Sequence, residues 1–158
     1  MAIKIIIHCS GSSWGNASII TQWHILPPPK GRGWDKIGYH YVILNGLLSP
    51  YKRDGYFDGH IETGRPLDDD SDLELDEKGA HAFGYNMAVG ICLIGLSGIF
   101  TNAQLRSLNH LVRKMKERFK KIEILQHSDV DPKNKPHCAG LTKLQMTTLK
   151  NIANENST

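Results

Sequence analysis

Between His127 and Leu141 the chain reads HSDVDPKNKPHCAGL, a stretch that sets two imidazoles, one thiol and two ammonium groups around two prolines. Proline fixes φ and removes a backbone donor, so the segment reads as a loop. Far upstream, the apolar run IKIIIHC ends with His8 next to last. A histidine at the end of a strand, twice, with a soft or imidazole donor shortly after the second, is the donor set of a zinc ion whose fourth position stays open. Lys135 lies two or three residues before the candidates for that third donor. An ammonium there would meet the negative charge that develops on a carbonyl oxygen attacked by an activated water. Strand-end histidines also serve as hydrogen-bonded structural groups and loop lysines as solvated ones, and spacing alone leaves both readings open.

The elements that would carry these groups follow from apolar periodicity. Ile3–Cys9 is a continuous apolar run of strand length, as expected of a strand covered on both faces. After the turn-rich GSSWGNAS, Ala17–Leu26 reads as a short helix closed by Pro27, Pro28 and Pro29. Tyr39–Leu44 reads as a second strand, followed by a loop containing the turn dipeptides Asn45-Gly46 and Asp54-Gly55 and a further strand near His60–Thr63. Leu67–Lys78, rich in Asp and Glu, reads as an exposed, solvated loop. Val89–Leu96 is another apolar strand, with Cys92 as a core thiol. Thr101 and Gln104 form a capping-box pattern ahead of Leu105, Leu108, Leu111, Val112, Met115 and Phe119 at helical spacing, and the basic face of that helix reads as solvated. Glu123–Gln126 is a last short strand delivering His127. Thr142 and Gln145 then cap a closing helix that carries Leu144, Leu149 and Ile152. Strands mixed with helices and hairpin-like connections imply an α/β fold with a single mixed central sheet flanked by helices.

A chain of 158 residues with 40% hydrophobic and 22% charged residues is long enough to bury a core and fits one domain over residues 1–158. A net charge of +3 with a pI near 8.7 falls short of a nucleic-acid-binding balance. No run reaches the length of a membrane span, and MAIKIIIHC is too short and too soon interrupted for a signal peptide, which implies synthesis in the cytoplasm. The three cysteines, Cys9, Cys92 and Cys138, are odd in number and lack C-x-x-C spacing, so reduced thiols are expected. A Cys9–His8 nucleophile is disfavoured, because neighbouring strand residues project to opposite faces.

Several segments resemble, in order, those of the zinc-dependent N-acetylmuramoyl-L-alanine amidases of the phage-lysozyme and peptidoglycan-recognition type. IIIHCS resembles their first strand and first zinc histidine, GWDKIGYHYVI the block with a catalytic tyrosine, and HIETGRP the hairpin after it. GAHAFGYNMAVGICLIG resembles the block in which a histidine and Gly-Tyr-Asn precede a buried strand, IFTNAQLRSL the start of the long helix, and HSDVDPKNKPHCAGL the loop of the second histidine. The resemblance covers nearly the whole chain and implies a peptidoglycan-recognition-protein-like fold.

Carried over, it implies zinc held by His8, His127 and a third ligand that is Cys138 or, counting from Lys135, His137. It implies Tyr39 and Lys135 as catalytic residues, and His81 and Asn86 as substrate-binding candidates. His40, on the opposite face from Tyr39, is expected to be structural, and His24, His60 and His110 receive no role. The activity implied is hydrolysis of the amide between N-acetylmuramic acid and L-alanine by zinc-activated water, in a monomeric phage or prophage endolysin that acts on the bacterial wall after release. The partner implied is peptidoglycan or muropeptide, with no nucleic acid and no membrane span. The alternatives are a peptidoglycan-binding module without turnover and a cytosolic amidase recycling muropeptides. Two departures stand out, an LNGLLSPYKRDGYFDG insertion after the Tyr39 strand and the acidic stretch Asp68 to Asp76. The third ligand is decided by metal analysis of two variants: Cys138→Ser is expected to lose its zinc and His137→Ala to retain it, and the opposite result would make His137 the ligand.

Overall fold

A computed structural model describes residues 1–156. The expectation of one domain over 1–158 includes Ser157 and Thr158, which lie outside the described residues. Five strands form one mixed sheet in the order β3-β2-β4-β1-β5. They are β1 (Ile3–Cys9), β2 (Tyr41–Ser49), β3 (Lys52–Thr63), β4 (Val89–Leu93) and β5 (Ile122–Gln126). Among the described residues four α-helices accompany them: α1 (Ala17–Ile25), α2 (Asn102–Phe119), α3 (His127–Val130) and α4 (Lys143–Asn154). β1 runs parallel to both β4 and β5, and β2 is parallel to β4 and antiparallel to β3.

The apolar runs of β1 and β4 are continuous because both faces are covered. Ile5, Ile7, Ile91 and Leu93 point to the face packed by α2 and α4, against Leu108, Val112, Leu149 and Ile152. On the other face Val42 and Cys92 meet Ile20 of α1, and Ile6 meets Ala82 and Ala88. Cys92 is fully buried, as its apolar setting implies.

The capping boxes of α2 and α4 form as their sequences indicate. In α2 the cap does more than start a helix. Gln104 accepts the Thr101 N–H at 3.0 Å, and its amide nitrogen donates to the carbonyls of Ile43 (3.0 Å) and Ile94 (2.8 Å). Gln104 is fully buried, so one side chain ties the helix start to the sheet, near the start of β2 and just past the end of β4.

The structure corrects several expectations. Asn45-Gly46 and Asp54-Gly55 are not turns but lie inside β2 and β3, and the chain reverses at Pro50 and Tyr51. Asn45 donates to the Ser13 carbonyl and accepts the Leu47 N–H, while Gly46 takes a φ of 87°, so the pair makes a bulge within the ladder. β2 begins at Tyr41, leaving Tyr39 in the segment before the strand, and β4 stops at Leu93 rather than Leu96. The acidic stretch is not simply solvated. Glu77 is buried, accepts the N–H groups of Asp68 and Glu74, and lies 3.7 Å from Arg118 of α2, whose guanidinium also donates to the Asp70 carbonyl. Arg118 therefore leaves the solvated basic face to pin this loop. Leu144 is 76% exposed, and Met146 takes its expected place in the core of α4.

Replacing Gln104 with leucine keeps the volume but leaves the Ile94 carbonyl unpaired beneath α2. Urea unfolding of Gln104→Leu is expected to show a loss of about 2 kcal/mol, the cost of a buried unsatisfied group. An unchanged midpoint would show that the helix holds to the sheet without this bridge.

Candidate metal centre and active-site cleft

The register of two strands brings the histidines together. β1 and β5 pair in parallel with Ile7 opposite Gln126, so the next residues, His8 and His127, fall side by side where β5 gives way to α3. His8 shares its face with Cys92 across β4, the face turned away from α2. The Nδ1 atoms of His8 and His127 are 3.0 Å apart across 119 residues of sequence. Both rings are buried.

The loop 127–141 then has to return. Asp131 accepts the Lys135 N–H and, through its carboxylate, the Asn134 N–H, which closes the Asp-Pro turn. Gln126, at the end of β5, accepts the Leu141 N–H at 2.8 Å and donates to its carbonyl at 3.3 Å, clamping the far end of the loop to the near end. Ser128 N–H donates to the Cys138 carbonyl at 2.6 Å. Gly140 has a φ of 85°, and a Cβ there would run into Ser97 and Gly98, so only glycine lets the loop lie this close.

These constraints return Cys138 to the histidines. Donor atoms of His8, His127 and Cys138 lie within 4.8 Å of one another, and the Cys9 N–H donates to Cys138 Sγ at 3.3 Å. His137 is exposed, and its carbonyl accepts from the Ser97 hydroxyl; its ring is not part of the cluster. Of the two candidates for a third donor, the structure brings Cys138 to the histidines.

The cluster opens into a cleft of about 490 Å³ lined by residues that include Tyr39, Lys135, Asn86, Arg32, Trp34 and His24. The Tyr39 ring centroid is 5.1 Å from that of His8. Burial, followed by the neighbouring Cys92 and Cys138, pushes the Tyr39 phenol well above its ordinary value, so it keeps its proton. Burial likewise lowers His8 well below the ordinary imidazole range, with His81, His127 and Lys135 adding to the effect, and lowers His127. The hydrogen bond between the two thiols lowers Cys9 to about 7 and, with burial, raises Cys138, so the pair gives up one proton readily and holds the second.

His81 and Asn86 occupy the loop before β4. The Asn86 carboxamide oxygen accepts the His81 N–H at 3.1 Å and caps that loop, while its side chain still borders the cleft. His81 is buried between His8 and the Ala88 carbonyl. His40 is fully buried, accepting the Gly90 N–H and donating to the Glu77 carbonyl, the structural role expected of it.

The sequence reading passed over His24, Arg32 and Trp34. The Arg32 guanidinium stacks over the Trp34 ring at 5.0 Å, and His24 accepts the Gly38 N–H at 3.0 Å. Their one sequence signal was the Gly-Arg-Gly-Trp run after the three prolines, a turn that carries a cation and an aromatic ring. The buried Arg65, which donates to the carbonyls of Ile37 and Lys78, was also missed; it braces the segment that leads into Tyr39.

Residues 3–140 match the family model described as N-acetylmuramoyl-L-alanine amidase. The endolysin of Enterobacteria phage K11 is 31% identical over 147 residues, covering 84% of this chain and 79% of the relative. The endolysin of Klebsiella phage KP32 is 32% identical over 146 residues with the same coverage. Among solved structures, the N-acetylmuramoyl-L-alanine amidase LysC from Clostridium intestinale URNW superposes with a TM-score of 0.68 over 96% of this chain and 85% of its own, at 24% identity, a likeness of fold.

The neutral imidazoles set a pH dependence. Burial, followed by the charges of Arg32 and Arg65, lowers His24 to about 4 from an unfolded value near 6.5, and His40 is lowered in the same direction. Below the unfolded value the unfolded chain takes up a proton that the folded chain refuses. Urea midpoints are therefore expected to fall as pH drops from 6.5 toward 4, and His24→Gln is expected to flatten part of that slope. A midpoint that stays level through this window would contradict the neutral assignment.

Proposed function

The chain belongs to the N-acetylmuramoyl-L-alanine amidase family and is a peptidoglycan amidase of the endolysin kind; on that premise we propose that residues 1–158 act as one catalytic domain in which His8, His127 and Cys138 hold zinc and Tyr39 and Lys135 assist hydrolysis. The observation that carries the reading is the convergence of two imidazoles and a thiol at one wall of a cleft that also holds a buried phenol and an ammonium group.

The donor set fits the metal. The family is generally zinc-dependent. Two imidazoles and one thiolate are borderline-soft ligands of the kind zinc takes, and three of them leave one position for chemistry. The His8 and His127 Nδ1 atoms, 3.0 Å apart, would hold the metal together with the Cys138 sulfur. Zinc at this site supplies Lewis acidity toward the scissile carbonyl and lowers the pKa of a water toward about 7.

The protein's own groups do the rest. Cys138 binds as the thiolate, supported by the Cys9 N–H aimed at its sulfur. Lys135 donates to the scissile carbonyl oxygen as negative charge gathers there. Tyr39, whose phenol holds its proton and whose ring lies 5.1 Å from that of His8, supplies a second donor. The substrate is the amide between the lactyl group of N-acetylmuramic acid and L-alanine, and the site of action is the bacterial wall, reached after release from the cytoplasm. A module that only binds the wall would have no use for three converging donors.

Purified protein, assayed for bound zinc and for amino groups freed from peptidoglycan, is expected to hold zinc and release L-alanine termini. Lys135→Ala is expected to keep its zinc and lose about 10²- to 10³-fold in kcat, as other lost oxyanion donors do. A zinc-loaded wild type that frees no amino groups would sink this mechanism.

A further inference from the structure

His81 is a buried polar side chain outside the three candidate metal donors. It is 8% exposed, and its ring fits because the strand beside it has no side chain there: a Cβ on Gly90 would lie 2.6 Å from the His81 Cγ and Cδ2. Both ring nitrogens are engaged. Nε2 lies 2.8 Å from the Ala88 carbonyl, and Nδ1 lies 2.9 Å from His8 Nε2. No ring nitrogen is left to meet a substrate, which argues against the substrate-binding role that the sequence suggested.

The chain of bonds has a direction. A carbonyl oxygen has no proton to give, so His81 must carry its proton on Nε2 and donate to Ala88. The Nδ1 of that neutral ring then has a lone pair, and the proton between the two rings belongs to His8 Nε2. A neutral His8 protonated on Nε2 has its lone pair on Nδ1. That is the atom which faces His127 Nδ1 at 3.0 Å in the donor cluster.

We infer that His81 is a positioning residue for the metal site: through the Ala88 carbonyl it fixes the tautomer and the ring orientation of His8, so that Nδ1 is held as an open donor toward the cleft. The inference rests on the zinc reading above and deepens it. A ligand histidine held through its second nitrogen is a general requirement of precise metal sites, where carboxylates and carbonyls usually do the holding. Here an imidazole is interposed between the carbonyl and the ligand. The device also accounts for Gly90, since any side chain at that position of β4 would displace the ring that holds His8.

The full chain is tested with His81→Phe, which keeps the ring and loses both nitrogens, and His81→Asn, whose carboxamide oxygen can accept from His8 Nε2 in place of Nδ1. Zinc affinity is measured by competition with a chromophoric chelator. The His8 tautomer is read in zinc-free protein from two-bond proton–nitrogen couplings of the imidazole. Wild type is expected to show His8 protonated on Nε2. His81→Phe is expected to show a mixture of tautomers and about 10- to 100-fold weaker zinc binding, with His81→Asn recovering most of both. Unchanged tautomer and affinity in His81→Phe would overturn the inference. So would a His81→Asn as impaired as His81→Phe, which would make the role one of packing. A wild type that takes up no zinc would instead overturn the zinc reading itself, and the two failures are told apart by the first measurement.

Discussion

Three imidazoles packed against one another at the end of a sheet can share so small a volume only if they are uncharged and each nitrogen has an assigned proton or lone pair. His8 lies within hydrogen-bonding distance of both His81, at 2.9 Å, and His127, at 3.0 Å. Removal from water favours the neutral ring, since a buried charge without a partner costs several kcal/mol. Much of the surrounding architecture answers to this demand: the glycine at position 90 that makes room, the carbonyl of Ala88 that anchors the chain of bonds, and the buried phenol that closes one side.

Delivery of the groups depends on secondary structure of unequal rigidity. His8 comes from a central strand paired on both sides, the stiffest place the fold offers. His127 comes from the first turn of a helix that begins where β5 ends. Cys138 comes from a loop, and a loop is precise only if its backbone is tied. The Gln126 amide at its two ends, the Ser128–Cys138 bond and the close approach of Gly140 to Ser97 and Gly98 supply those ties. Lys135, by contrast, is exposed and held only through its backbone. The three converging side chains are thus held more firmly than the Lys135 cation.

Charge outside the cleft serves the fold. Arg118 spends its guanidinium on the Asp70 carbonyl and the carboxylates of Asp68 and Glu77, and Arg65 on the carbonyls of Ile37 and Lys78 and the carboxylate of Asp35, and in doing so they order the acidic stretch and the segment leading into Tyr39. Fork-shaped, permanently charged side chains suit that task, because several acceptors can be met at once. A stretch such as Leu67–Lys78, which composition describes as solvated, is therefore partly a structural element: Glu77 is buried and accepts two N–H groups.

The sequence by itself determined the elements whose cause is local. The apolar runs of β1 and β4, the capping boxes at Thr101 and Thr142 and the helical spacing from Leu105 to Phe119 each act over a few residues, and each is found in the structure. The order of its motifs also indicated the family, and with it His8, His127 and Lys135. Asn45-Gly46 misled because the same dipeptide suits a turn or a bulge, and the choice was made by Ser13 and the partner strand. Only the tertiary structure brought Cys138, and not the ring of His137, beside the two histidines. Counting along a loop gives distance in sequence, whereas the path of its backbone decides which side chain turns inward. Only the register of β1 against β5 made neighbours of His8 and His127, and only burial between His8 and the Ala88 carbonyl gave His81 its place. Pairing of strands and exclusion of water act between residues far apart in the chain, and no local pattern carries them.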